Sequence, residues 1–97
     1  MTSGAMTDDG KTLTLSLLGH ATGSPEVCAG ISAIAGALAG WVLNHPGAEP
    51  ATIRLEEGEA YIRVVRPDLR CRVAFEMAEI GLLQIARQYP EFLKFQK

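Results

Sequence analysis

From Cys28 to Leu43, sixteen consecutive residues include only Ser32 as a clearly polar member. The run falls short of the about 20 apolar residues that a membrane span requires. It is flanked by Glu26 on one side and by Asn44-His45-Pro46-Gly47 on the other. The reading is a helix buried in a globular domain, with no membrane partner. Ala29, Gly30, Ala33, Gly36, Ala37 and Gly40 are small enough to let a sheet or a second helix approach closely. A helix that is apolar all round must be covered on more than one side, and a two-layer domain of 97 residues covers one side well. A homodimer is the expected way to cover the rest.

The residues before this run set how the helix starts. Ser24 is a good N-cap, Pro25 a good first helical residue and Glu26 an acid suited to the first turn. Cys28 then occupies the fourth helical position. The positive end of a helix dipole favours a thiolate, the nucleophilic form of cysteine. Upstream, Leu13, Leu15 and Leu17 alternate with Thr12, Thr14 and Ser16, which predicts a half-buried strand running into Gly19-His20. A histidine there can hold the thiol proton and return it to a leaving group. Backbone N–H groups near Cys28 are candidates to stabilise an oxyanion. Ser32 follows Cys28 by one helical turn on the same face. Three roles stand open for it: orienting the thiolate, binding substrate, or bonding back to the carbonyl of Cys28.

Beyond the loop 44–50, Ile53 and Leu55 alternate with Thr52, Arg54 and Glu56. After Glu57-Gly58, Ala60, Ile62 and Val64 alternate with Tyr61, Arg63 and Val65, predicting a hairpin with a glycine-bearing turn. Pro67-Asp68 ends it and Asp68 caps a second helix. On that helix Val73, Ala74, Met77, Ala78, Gly81, Leu82, Ile85 and Tyr89 are expected to share the apolar face, opposite Arg72, Glu76, Glu79 and Arg87. Phe92, Leu93 and Phe95, past Pro90, are expected to fold back onto the core. Residues 1–10 read as either a short edge strand or a frayed start. The order strand(s)–helix–hairpin–helix predicts a single two-layer α+β domain over residues 1–97, with both helices on an antiparallel-rich sheet.

Composition narrows the function classes. A formal charge of −2 and a pI near 5.6 argue against a nucleic-acid binder that works by phosphate neutralisation. Two cysteines without a signal peptide fit free thiols in a reducing cytoplasm. His20, Cys28, His45 and Cys71 contain no close ligand pair, so no metal site is expected. The glycines form no nucleotide fingerprint between strand and helix, and no cofactor is expected. Cys71 reads as a structural thiol, His45 as a residue near the last carbonyls of the first helix, and Trp41 as packing.

Three segments, taken in order, carry a family resemblance: Gly19-His20-Ala21, Val27-Cys28-Ala29-Gly30-Ile31-Ser32-Ala33, and Tyr89-Pro90-Glu91-Phe92. Over residues 11–95 the chain resembles the ribosomal-processing cysteine protease family (Prp). The resemblance implies that His20 and Cys28 are the catalytic pair and that Ser32 supports them. The family's acidic residue usually stands three before the cysteine, a place held here by Pro25. Glu26 is the nearest substitute, and the loop from His20 to Cys28 is shorter than in the family. The implied activity is a cysteine endopeptidase that removes the N-terminal extension of a large-subunit ribosomal protein. A viral relative would instead trim capsid or scaffold proteins. The alternative is a non-catalytic protein-interaction module that keeps the fold.

Overall fold

The computed structural model describes every residue of the chain except Thr22, Glu49 and Lys97. Five strands and two long helices follow in the order β1 (Thr2–Asp8), β2 (Thr12–Gly19), α1 (Pro25–Asn44), β3 (Ala51–Glu56), β4 (Glu59–Val65), α2 (Leu69–Gln88) and β5 (Leu93–Gln96). A short 3-10 turn, Pro46–Ala48, links α1 to β3.

The strands form one sheet in the order β3-β4-β2-β1-β5. All neighbours are antiparallel except β1 and β5, which run parallel. Strand alternation sends one set of side chains to the helices. Leu13, Leu15 and Leu17 of β2 lie opposite Val64, Ile62 and Ala60 of β4, and all six are buried. Thr12, Thr14 and Ser16 point to the other face, which no helix among the described residues covers. The two-layer α+β architecture and the hairpin follow the expected pattern.

Two elements depart from expectation. The N-terminal residues form neither an edge strand nor a frayed start, because β1 is flanked by β2 and β5. Its pairing with β2 is helped by the tight Asp8–Lys11 turn, where the Asp8 and Asp9 carboxylates accept from the N–H groups of Gly10, Lys11 and Thr12. Residues after Pro90 do return to the core, but as a paired strand: Leu93 is buried and lies beside Thr2 in the ladder. The sheet edge at the other end is β3. There Ile53 is half-buried and Leu55 is 49% exposed.

The start of α1 matches the cap read from sequence. The Ser24 hydroxyl accepts from the Val27 N–H at 3.3 Å, and Pro25 is the first helical residue. α1 packs on the sheet through Val27, Ile31, Ala35, Leu38, Ala39 and Val42. The helix is long and apolar enough to cross a membrane by length and composition alone, yet this face is committed to the sheet.

Asp68 caps α2 as expected, accepting from the Cys71 N–H at 2.8 Å. The buried face of α2 is rotated from the one expected. Cys71, Phe75, Ala78 and Leu82, spaced i, i+4, i+7, i+11, dock on the core, while Val73 and Met77 are exposed. The apolar arc of this helix is wider than the sheet can use, so tertiary docking chooses which part is covered. Gly81 and Gly30 let the two helices meet: a Cβ at Gly81 would lie 2.9 Å from Ile34 Cδ1, and one at Gly30 3.4 Å from Ile85 Cδ1.

Candidate active site

The candidate catalytic residues sit where β2 ends and α1 begins. Gly19 closes β2 at φ +96°, a backbone conformation that glycine adopts without a Cβ clash, and a Cβ there would run into the Met1 carbonyl. His20 follows on the surface. Three backbone bonds hold this corner. Gly19 N–H donates to the Gly58 carbonyl at 2.9 Å, Met1 N donates to the His20 carbonyl at 2.6 Å, and Ser24 N–H donates to the Ala21 carbonyl at 3.1 Å.

Cys28 is half-buried in the first turns of α1, a free thiol. His20, Cys28 and Ser32 line one cavity of about 210 Å³. Ile31, Ala35 and Gly36 continue the α1 wall, Thr2 and Leu17 contribute from the central strands, and 55, 56 and 58–60 of the β3–β4 hairpin close the far side. The cavity therefore joins the two residues of the expected pair, with Ser32 one turn further along the helix.

Glu26 stands elsewhere. It is exposed and is not part of this wall; its carboxylate lies 3.5 Å from the Ser24 hydroxyl, which donates to it. Its placement is that of an acid at a helix N-terminus, where the dipole favours it.

The expectation about oxyanion donors also changes. The Cys28 N–H donates to the Ser24 carbonyl at 3.1 Å, and the Val27 N–H donates to the Ser24 hydroxyl. Both are occupied by the cap that starts the helix, so neither faces the cavity as a free donor. In contrast to Cys28, Cys71 is fully buried, and that burial pushes its thiol up to about 11.

The hairpin's share of the site could not be read from the local sequence. Glu57-Gly58 reads as a turn, which it is. Its position beside His20 depends on the β2–β4 register, which pairs Leu18 with Glu59 and so brings the turn to the end of β2. His45, near the end of α1, forms its own polar cluster away from the cavity. Its Nε2 lies 2.9 Å from Asp68 Oδ2 and its ring packs on Trp41 with centroids 4.3 Å apart.

Solved structures share this fold. The structure of the ribosomal processing protease Prp from Staphylococcus aureus, in complex with a covalently linked product peptide, superposes with a TM-score of 0.83 at 22% identity over 100% of both chains. A second Staphylococcus aureus Prp structure, with a substrate peptide, gives 0.80 at 21% identity, again over 100% of both chains. SMU.848 from Streptococcus mutans gives 0.70 at 24% identity, over 99% of this chain and 92% of its own. No curated protein sequence matches. The family model for the cysteine protease Prp matches residues 1–94. With that match over nearly the whole chain, and a cysteine and a histidine meeting at one cavity, the chain belongs to the cysteine protease Prp family.

Proposed function

We propose that this chain is a cysteine endopeptidase that works through Cys28 and His20 and removes the N-terminal extension of a large-subunit ribosomal protein. The observation that carries the reading is the shared cavity: His20 at the end of β2 and Cys28 at the start of α1 open onto the same space. The His20 imidazole takes the Sγ proton, and the thiolate adds to the scissile carbonyl carbon. Collapse of the tetrahedral adduct breaks the C–N bond, and the imidazolium gives its proton to the leaving amine. Water then adds to the thioester, its proton passing to His20; the C–S bond breaks, the acid product leaves and the thiol is restored. Ser32 lies along the same wall, and its role in this reading is to contact the bound peptide.

The ribosomal substrate is supported by the Staphylococcus aureus relatives, described as ribosomal processing proteases and seen with substrate and product peptides. The test is cleavage of a peptide spanning the N-terminal extension of the ribosomal protein from the same source, read by mass spectrometry. Cys28→Ala and His20→Ala should each lower turnover by at least about 10³-fold, as loss of a nucleophile or its base does in other acyl-transfer enzymes. A Cys28→Ala protein that still cut at the wild-type rate would remove Cys28 from the mechanism.

The finer expectations belong to the same reading. Free thiols suit a reducing cytoplasm. A homodimer is supported by what the helix layer leaves uncovered. Leu69, Val73, Met77 and Ile80, at i, i+4, i+8 and i+11, form one exposed stripe of α2, with Leu69 78% and Met77 69% exposed. On α1 Ala29, Ala33, Gly36 and Ala37 face outward and Leu43 is 73% exposed. Such faces mark association surfaces.

A further inference from the structure

We propose that Gly58, in the turn joining β3 and β4, is the residue that seats the His20 imidazole for proton transfer. The inference rests on the reading of His20 as the base of Cys28, and adds the group that orients it. Two separate contacts converge here. The Gly58 carbonyl accepts from the Gly19 N–H at 2.9 Å, which ties the turn to the backbone just before His20. The ring itself rests over the Gly58 Cα. A Cβ built at Gly58 would lie 2.8 Å from His20 Nε2, 3.3 Å from Cε1 and 3.5 Å from Cδ2. The Nε2 edge is thus nearest, and the ring could not keep this place above any residue with a side chain.

The turn alone does not explain a glycine. Its φ is +77°, which asparagine also tolerates in two-residue hairpin turns. What distinguishes glycine from asparagine here is the absent Cβ, which would force the imidazole to move from this place. Among the described residues no side chain hydrogen-bonds the imidazole, so packing on Gly58 is what limits its orientation. A base displaced by about 1 Å can lose up to about 10²-fold in rate, because proton transfer demands hydrogen-bond reach. Gly58 acts through His20 and touches no reacting atom, so it is a positioning residue.

The probe is iodoacetamide, with alkylation of Cys28 followed by mass spectrometry in the full chain. Gly58→Asn should slow that alkylation roughly tenfold or more. Gly10→Asn is the control for backbone strain: Gly10 has φ +87° and open space where its Cβ would be, and this variant should react at the wild-type rate. In a His20→Ala background, Gly58→Asn should add no further loss, because its whole effect passes through the ring. An unchanged Cys28 rate in Gly58→Asn, or an equal further loss without His20, overturns the proposal. A nuclear Overhauser contact between the His20 ring protons and the Gly58 α-protons is expected in the wild-type protein. Its absence overturns the proposal even where the variant fails to fold. If His20→Ala itself leaves Cys28 reactivity unchanged, the pairing of His20 with Cys28 fails, and that result is read separately from the Gly58 contact.

Discussion

Cys71 is sealed beneath α2, and burial first, then the nearby Asp68 carboxylate, pushes its thiol up to about 11. Cys28, half-buried, opens on the cavity. Since the thiolate is the reactive form, iodoacetamide at neutral pH should modify Cys28 and spare Cys71; comparable labelling of Cys71 in the folded protein would contradict its burial. The Cys71 shift has a second consequence. An unfolded thiol loses its proton near pH 8.5, whereas the folded one keeps it up to about pH 11. Between these values the unfolded state binds fewer protons, so stability should fall as pH rises through that window. Urea melts across it should show the decline, and Cys71→Ala should lack that component. Cys28→Ala removes one half-buried sulfur, so its stability cost should be about 1 kcal/mol while cleavage is lost. A large loss of stability in that variant would mean Cys28 is chiefly a packing residue.

Among the elements, α2 has the most to teach, because its apolar residues outnumber its core positions. Phe75 is 2% exposed and central to the docked face. Phe75→Ala should therefore cost about 3–5 kcal/mol. Met77→Ala, on the outward stripe, should change monomer stability by less than about 0.5 kcal/mol. Denaturant melts at concentrations where the chain is monomeric separate the two, and similar costs for both would mean the helix is rotated from the orientation described. β1 makes a comparable demand at Gly4. A Cβ there would collide with Leu17 Cδ2, and would lie 3.0 Å from the Ser16 carbonyl oxygen and 3.1 Å from Phe95 Cδ1. Gly4 is where β1 passes between β2 and β5, and a larger residue would prise those neighbours apart.

At the scale of the whole molecule, charge ties the ends of elements together. Arg72 on α2 bonds the Asp8 carboxylate on β1 at 2.7 Å, and Asp68 receives both the Cys71 N–H and His45. Backbone N–H donors hold the Asp8, Asp9 and Asp68 carboxyls below the usual carboxylate range, with Arg72 adding to the first and His45 to the last. A depressed folded pKa contributes stability above the unfolded value of about 3.9 that is lost as pH falls through the folded value. Thermal melts from about pH 5 downward should show that loss, and the Asp8→Asn/Asp9→Asn/Asp68→Asn protein should be less sensitive to acid. Association belongs to this scale too. Sedimentation should find a dimer, and Gly40→Leu should weaken it without harming the fold, since a Cβ at Gly40 meets no atom within 4 Å. A wild-type monomer at high concentration would defeat the dimer.

Local chemistry was enough to read most of the elements. The Ser24-Pro25 start of α1, the Asp68 cap of α2, the alternation of β2 and the glycine-bearing hairpin each depend on neighbours a few residues apart, and each stands as read. The places of His20 and Cys28, at the end of one local element and the start of the next, were legible for the same reason, whereas their pairing as a catalytic dyad came from the family resemblance. What the sequence could not disclose were contacts between distant segments. The parallel pairing of β5 with β1, the face of α2 that docks, and the arrival of Gly58 beneath His20 all join residues far apart in the chain. Apolar periodicity states how wide a hydrophobic arc is, not which part of it will be covered. Strand alternation states which side chains share a face, not which strand lies alongside. Those choices follow from the space left once the sheet and both helices pack together, so the tertiary structure alone decided them.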